Sequence, residues 1–381
     1  MDLFQTFPEE IIHQVFQHFN GKDLLRISTV SFSWNDFIGK SKRFAGKLEL
    51  RIGSDRYNKF TEHDKKLLVL SREYQHVRIS EATGMVEYVL DIFSSLNCWK
   101  SVTIVETEFE SICDFIKFLR AINQTVEILK LYRVTIKNPD ELEEAFIFSN
   151  LKSLTISSCD ELIFTKVFLQ CPKLESLEIY NPGKNISNPS SIIDLLKCHK
   201  NITKFQTDGK WFNFIFKYEN MQNFSFNLKE LSVYGSGLLI ETIDDNFINF
   251  LYSQSTTLES LYLGDCLGCD LAVLQAALDL KALKNLNIFF LPVGLRFAFI
   301  DNPKSESIEN LDILTVDIDN KDKMKFILKS VPNVKNLRLR TMDEETARFM
   351  AENMKSLRKI LSVYIKDEKV VRKILPNVKI I

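Results

Sequence analysis

The sequence predicts an α/β chain: a short bundle of three helices, then a long solenoid shaped as a horseshoe, with a parallel sheet on its concave side and helices on its convex side. Three observations carry this reading. Capped, amphipathic helical patterns crowd the first fifty residues, an apolar frame L-x-x-L-x-L then returns about every 25 residues, and helical stripes lie between successive frames. Composition agrees: of 381 residues 45% are hydrophobic and 26% charged, enough apolar surface for a core and too much for bulk disorder. With 49 Lys+Arg against 50 Asp+Glu the net charge is -1, so no global basic field exists to hold nucleic acid or an anionic membrane.

The helical bundle follows from its caps and stripes. Thr6 and Glu9 have the spacing of a capping box, Pro8 suits a first helical turn, and Ile11, Ile12, Val15, Phe16 and Phe19 share one apolar stripe. Asn20-Gly21 supplies a stop. Asp23 caps a second helix through Leu24, Leu25 and Ile27, and Ser31 or Ser33 starts a third carrying Trp34, Phe37 and Ile38. So small a bundle buries little surface, so its apolar faces need a neighbour or a partner to cover them.

The run Phe7-Pro8-Glu9-Glu10-Ile11-Ile12, then Phe16 and Phe19, then Asp23-Leu24-Leu25, then Val30-Ser31-Phe32-Ser33-Trp34 resembles an F-box, over residues 3–47. Phe7 stands where that family usually has Leu, and Ser31 where Cys is frequent. The resemblance implies that the opening and first helix contact a Skp-type adaptor, which links the protein to cullin and RING subunits. Carried over residue by residue, the adaptor-binding set is Phe7, Pro8, Glu9, Ile11, Ile12, Val15, Leu24, Leu25, Val30 and Trp34. The plainer alternative is a three-helix cap on the array behind it. The two differ in whether the apolar flank is left open.

Residues 48–381 form the second domain. Frames such as Leu151-Leu154-Ile156, Leu228-Leu231-Val233 and Leu283-Leu286-Ile288 recur, with weaker copies between them, starting at residues 74, 99, 126, 151, 174, 202, 228, 258, 283, 308, 334, 357 and 378. A period near 25 is that of a leucine-rich repeat, with about 12–13 copies. Leu48, Leu50 and Ile52 alternate like an incipient strand, so the junction to the bundle is expected to be packed. Between frames, Ile112, Phe115, Ile116, Leu119 and Ile122 make one helical stripe, and Phe247, Phe250 and Leu251 another. The copy at Ile202 is the weakest, because Thr207 occupies the position that closes the apolar frame, and its register could slip. The aromatic cluster from Trp211 to Phe226 reads as packing rather than a docking surface. Cys159 and Cys266, two residues past their strands, resemble the cysteine-containing repeats often joined to F-boxes.

Residues between and just after the apolar positions of each strand project from the concave face. They nominate Lys130, Tyr132, Glu178, Tyr180, Tyr234, Tyr262, Phe289, Arg338 and Arg340 as target-binding, since aromatic and arginine side chains anchor protein interfaces. The alternative is that these rings stack on one another and merely cover the sheet. No catalytic constellation is legible: there is no Walker loop, G-x-S-x-G elbow or H-E-x-x-H, and Cys266-Leu267-Gly268-Cys269 lacks a second ligand pair. No metal, cofactor or enzymatic activity is expected. Seven cysteines without disulfide density indicate reduced thiols and a cytoplasmic or nuclear location. The most apolar stretch, residues 286–300, is interrupted by Pro292 and Arg296 and too short to cross a bilayer. The expected function is the substrate-recognition subunit of an SCF-type E3 ubiquitin ligase. The alternatives are an adaptor-binding scaffold without a degradative role and a plain repeat module for protein interaction.

Overall fold

The computed structural model describes residues 6–53, 74–81, 99–138, 146–160, 163, 167–181, 190–209, 211–212, 215, 224–234, 245–264, 271–288, 305–313 and 321–381. The chain divides into two compact units, Met1–Leu174 with Gly183–Ile186, and Glu175–Pro182 with Ser187–Ile381.

Among the described residues the first unit has the helices α1 (Glu9–Phe16), α2 (Gly21–Ile27), α3 (Phe32–Lys40) and the single turn α4 (Lys42–Ala45) near its start. Two local expectations are corrected here. Helix α1 has Pro8 rather than Thr6 at its N-cap, and no side chain caps it. The residue before a proline is pushed out of the helical region, so Phe7 cannot be a first helical residue and the start shifts to Glu9. Asn20 does not stop α1 but takes the cap of α2 expected of Asp23, its side chain accepting at 3.0 Å the N–H of Asp23, which lies in the first turn. The exposed end of α1 is met from a distance instead, by the Lys47 ammonium donating to the carbonyls of Gln17 and of Phe19, where the helix dipole favours a cation. Ser31 caps α3 as expected, accepting the Trp34 N–H at 3.3 Å.

Ile12, Phe16, Leu24, Ile38, Phe44 and Leu48 form the core of this module, with Phe19, Ile27, Trp34, Phe37 and Tyr74 packed around it. Phe16 is the hub, meeting Trp34 edge-on at 5.4 Å and Phe37 at 5.9 Å between ring centroids. Leu48 and Tyr74 belong to the repeats, so the expected packed junction is present. Gly21 sits in it so tightly that a Cβ there would lie 1.9 Å from the Lys47 carbonyl oxygen.

Five parallel strands follow, β1 (Glu49–Gly53), β2 (His76–Ser80), β3 (Ser101–Val105), β5 (Ile128–Tyr132) and β7 (Ser153–Ser157), interrupted by β4 (Glu108–Ser111), helix α5 (Ile112–Ile122) and β6 (Thr135–Asn138). Strands β4 and β6 pair with each other as a small second sheet. The whole predicted stripe of α5, from Ile112 to Ile122, is buried, and Ser111 caps the helix through the Asp114 N–H.

The second unit carries strands β8 (Ser176–Tyr180), β9 (Lys204–Asp208), β10 (Glu230–Tyr234), β11 (Ser260–Leu263), β12 (Asn285–Ile288), β13 (Asn310–Ile313), β14 (Asn336–Met342), β15 (Lys359–Ile365) and β16 (Lys379–Ile380). Its helices with described bounds include α6 (Ser190–Cys198), α7 (Asp245–Ser253), α8 (Leu271–Leu278), α9 (Lys321–Ser330), α10 (Glu344–Asn353) and α11 (Glu368–Ile374). Every predicted frame contains an observed strand, and within each unit the apolar positions of paired frames stand in register.

The period has a backbone cause. Within each unit the carbonyl of the residue before a strand recurrently accepts two consecutive N–H groups from the next repeat: Lys100 O from Glu127 and Ile128, Lys229 O from Glu259 and Ser260, Lys284 O from Glu309 and Asn310. Glu81, Glu106 and Arg133, just past their strands, are left-handed, with φ between 50° and 53°. Each donates its N–H to the last carbonyl of the following strand, at 2.8 to 3.0 Å. A repeat is therefore clamped to its successor at both ends of the strand.

The weak frame at Ile202 does not slip. Thr207 is buried in register with Ile179 and Val233. The buried carboxylate of Asp208 accepts the N–H of Asn181 and, at 3.0 Å, that of Trp211. Here a side chain takes the place that a strand carbonyl fills elsewhere. The aromatic cluster is packing in its described part: Trp211, Phe212, Phe224 and Phe226 are buried, and Phe212 meets Phe247 at 4.5 Å.

Candidate functional site

The N-terminal module finishes its own core and still leaves apolar surface outside. Six of the twelve large hydrophobic residues exposed in the described chain are Phe7, Ile11, Val15, Leu25, Val30 and Phe32, all within the first 45 residues. Scattered exposed apolar residues need no explanation, but a concentration of them on a small module marks an interaction surface. Helix α1 explains how this arises. Successive residues on a helix point 100° apart, so Ile12 and Phe16 face inward while Ile11 and Val15, one turn apart, form a second stripe facing solvent. Phe7 leads into this stripe and Pro8 is exposed beside it.

Of the ten residues carried over as adaptor-binding, the structure places Phe7, Pro8, Glu9, Ile11, Val15, Leu25 and Val30 on the surface. It sets Ile12 and Leu24 apart: they are 4% and 0% exposed and act by holding the module together. Trp34 is half-buried against Phe16. One residue that sequence reasoning missed is Phe32. At 83% it is the most exposed large hydrophobic in the described chain, although it occupies the first turn of α3. The available signal was its place immediately after the Ser31 cap, where a first-turn residue has no preceding helical turn to pack on. Phe7 and Phe32, with Glu9, Ile12, Asp36, Phe37 and Lys40, line a groove of about 620 Å³ between α1 and α3.

The strands of the second unit place a row of tyrosines on the face predicted to bind. Tyr180 and Tyr234 meet edge-on at 5.8 Å between centroids, and Tyr234 and Tyr262 lie 4.8 Å apart at 37°. The Tyr180 hydroxyl donates to Gln206 Oε1 at 2.7 Å. Tyr262 lies over Gly264, where a Cβ would approach its ring within 2.6 Å. The rings thus stack as the plainer alternative held, and Tyr234 remains exposed. Arg338 is engaged, reaching Asp312 on the neighbouring strand β13 at 3.3 Å, whereas Arg340 is exposed. Burial pushes the Asp312 carboxyl above its ordinary range, against the opposing pull of Arg338. Lys130, Tyr132 and Glu178 are half-buried at their predicted strand positions. Phe289 lies outside the described residues.

Burial pushes the thiols of Cys159 and Cys171 up to about 12, so neither is a nucleophile near neutrality. The Cys159 thiol points at the Ser157 carbonyl at 3.4 Å, a packing role. Cys266 and Cys269 lie outside the described residues. Among the described residues no group of three His, Cys, Asp or Glu side chains is arranged to hold a metal ion, and no helix is long and apolar enough to cross a membrane.

A helical module with an open apolar flank thus stands ahead of parallel strand-turn-helix repeats. Residues 4–45 match the family model described as F-box domain. Those residues carry an F-box domain, and the parallel strands behind it are consistent with a leucine-rich-repeat solenoid. No curated protein matches it. Among solved structures, it is similar to a chain in the crystal structure of the Rad7 and Elc1 complex in yeast, with 15% identity, a TM-score of 0.48, and coverage of 97% of this chain and 90% of that one.

Proposed function

We propose that this chain is the substrate-recognition subunit of an SCF-type ubiquitin ligase complex. Its F-box would hold a Skp-type adaptor, through which cullin and RING subunits are recruited, and the repeats of residues 48–381 would hold the target protein. One observation carries the reading: the F-box core is closed, yet Phe7, Ile11, Val15, Leu25, Val30 and Phe32 are left for another polypeptide to cover. The open side of the strands, with Tyr234 and Arg340 exposed on it, is the surface offered to the target. In this role the chain supplies no acid, base or nucleophile. It raises the effective concentration of a target lysine beside a conjugating enzyme carried by the same complex. Reduced thiols fit such a role in the cytoplasm or nucleus.

The test is co-expression with a Skp-type adaptor followed by size-exclusion chromatography. The expected result is a 1:1 complex that carries a cullin when one is added. Elution of the two proteins apart would leave only a repeat module with a helical cap. A complex that forms, but whose depletion stabilises no protein in cells, would instead indicate an adaptor-binding scaffold.

A further inference from the structure

The strand face of the first unit carries a basic stripe that, among the described residues, only Glu49 meets with an opposite charge. Arg51, Arg78, Thr103 and Lys130 stand in register at the middle of β1, β2, β3 and β5, each projecting away from the buried apolar column. Arg51 is met by Glu49 of its own strand at 2.7 Å. Arg78 and Lys130 have no ion-pair or hydrogen-bond partner among the described residues.

Cations at the strand rims of the same unit are treated differently. Arg133 meets Glu106 at 2.5 Å, Lys137 meets Glu110 at 2.7 Å and Glu108 at 3.2 Å, and Lys152 meets Glu127 at 2.9 Å, each across neighbouring repeats. Among the outward positions of β1, β2, β3, β5 and β7, Glu49 is the one acid. The corresponding column in the second unit holds the acids Glu178 and Asp312, and its cation Arg338 is paired with Asp312 at 3.3 Å. The stripe is therefore local, in a chain whose net charge is -1.

We infer that this stripe is a docking strip for an acidic segment of the target protein, held by carboxylates on Arg78 and Lys130. The inference rests on the reading that the repeats hold the target. Spacing sharpens it. Parallel strands lie about 4.8 Å apart, so the roots of Arg78 and Lys130, separated by β3, are about 10 Å apart. In a polyproline II segment, residues three apart share a side and are separated by about 9.3 Å. An E-x-x-E or D-x-x-D segment laid across the strands thus sets one carboxylate on the Arg78 guanidinium, which can receive it through two parallel N–H donors, and the next on the Lys130 ammonium. The Thr103 hydroxyl lies between them as a donor to the segment's backbone.

The test uses the full chain and a fluorescein-labelled twelve-residue peptide with two E-x-x-E steps in a Gly/Ser background, read by fluorescence anisotropy. Binding is expected to weaken with salt. It is expected to fall at least about tenfold in the Arg78→Glu, Lys130→Glu double variant, and to fall in Arg78→Gln, Lys130→Gln as well. A Lys281→Glu variant, in the other unit, should bind as the parent does. A peptide with the same glutamates moved next to one another should bind more weakly. The inference is overturned by equal binding of parent and double variant, by binding only of a phosphoserine version of the peptide, or by a DNA duplex that binds more tightly than the peptide does. Adaptor capture by the double variant is measured in parallel. Loss of peptide binding with capture intact concerns the strip alone, whereas a parent chain that captures no adaptor fails on the F-box reading.

Discussion

Replacing Ile11 and Val15 together by alanine should separate the open stripe of α1 from the core stripe beside it. The two side chains are 42% and 52% exposed. Fully burying an aliphatic side chain is worth about 1.5–3 kcal/mol, so covering the exposed half of each contributes about 1 kcal/mol, and about 2 kcal/mol for the pair. The Ile11→Ala, Val15→Ala variant should therefore bind a Skp-type adaptor about 30-fold more weakly by isothermal titration calorimetry. Its thermal unfolding should be unchanged or slightly later, because alanine is the better helix former at both exposed positions. Ile12→Ala provides the contrast. Ile12 is closed within the core by Phe16, Leu24, Ile38, Phe44 and Leu48, so its truncation should cost about 2–5 kcal/mol of folding stability. Two results would refute the reasoning: adaptor affinity in the double variant equal to the parent's, or affinity lost only in step with a falling unfolding temperature.

Three further outcomes follow from the same structure. At pH 8 an alkylating reagent should label the exposed Cys113 and Cys198 in the native protein and spare Cys159 and Cys171, whose thiols burial pushes up to about 12; peptide mapping that finds Cys159 labelled as fast as Cys113 would contradict this packing. Gly21→Ala should destabilise the junction by about 1–3 kcal/mol or more, seen as a lower unfolding temperature, because the added Cβ meets a backbone oxygen that cannot rotate away. Hydrogen bonds from Lys152, Lys284 and Lys335 hold the carboxyls of Glu127, Glu259 and Glu309 below their usual value of 4.5. Groups so depressed in the folded state contribute stability that is complete above pH 4.5 and lost as pH falls through their lowered values. Melting curves from pH 6 to pH 3 should show that loss, and replacing all three by Gln should shallow it.

The repeat array was legible because its signal is local and redundant. A period-two strand with a buried apolar column must recur wherever the chain returns to the same sheet, so each frame from Tyr74 to Val378 named its own strand. The F-box was legible for a different reason: Pro8, Asp23-Leu24-Leu25 and Trp34 are spaced as a family pattern, without any knowledge of which way they point. Direction was the part that stayed hidden. Ile11 and Ile12 are the same residue type one position apart, yet one faces solvent and the other completes the core. Likewise Arg338 and Arg340 read alike in sequence, and only the neighbouring Asp312 distinguishes them.

By itself, then, the sequence determined which elements form and in what order, since propensity, capping and periodicity act within a few residues of the chain. The tertiary structure decided what closes each end and what stays open. Lys47 reaching back to the carbonyls at the end of α1, and Asp208 taking the N–H of Asn181 from the preceding repeat, are contacts between residues far apart in the chain, which no local capping rule names. The same holds for the flank of Ile11, Val15 and Phe32 and for the stripe of Arg78 and Lys130. A side chain becomes available to a partner only when folding has failed to bring anything of the chain's own against it.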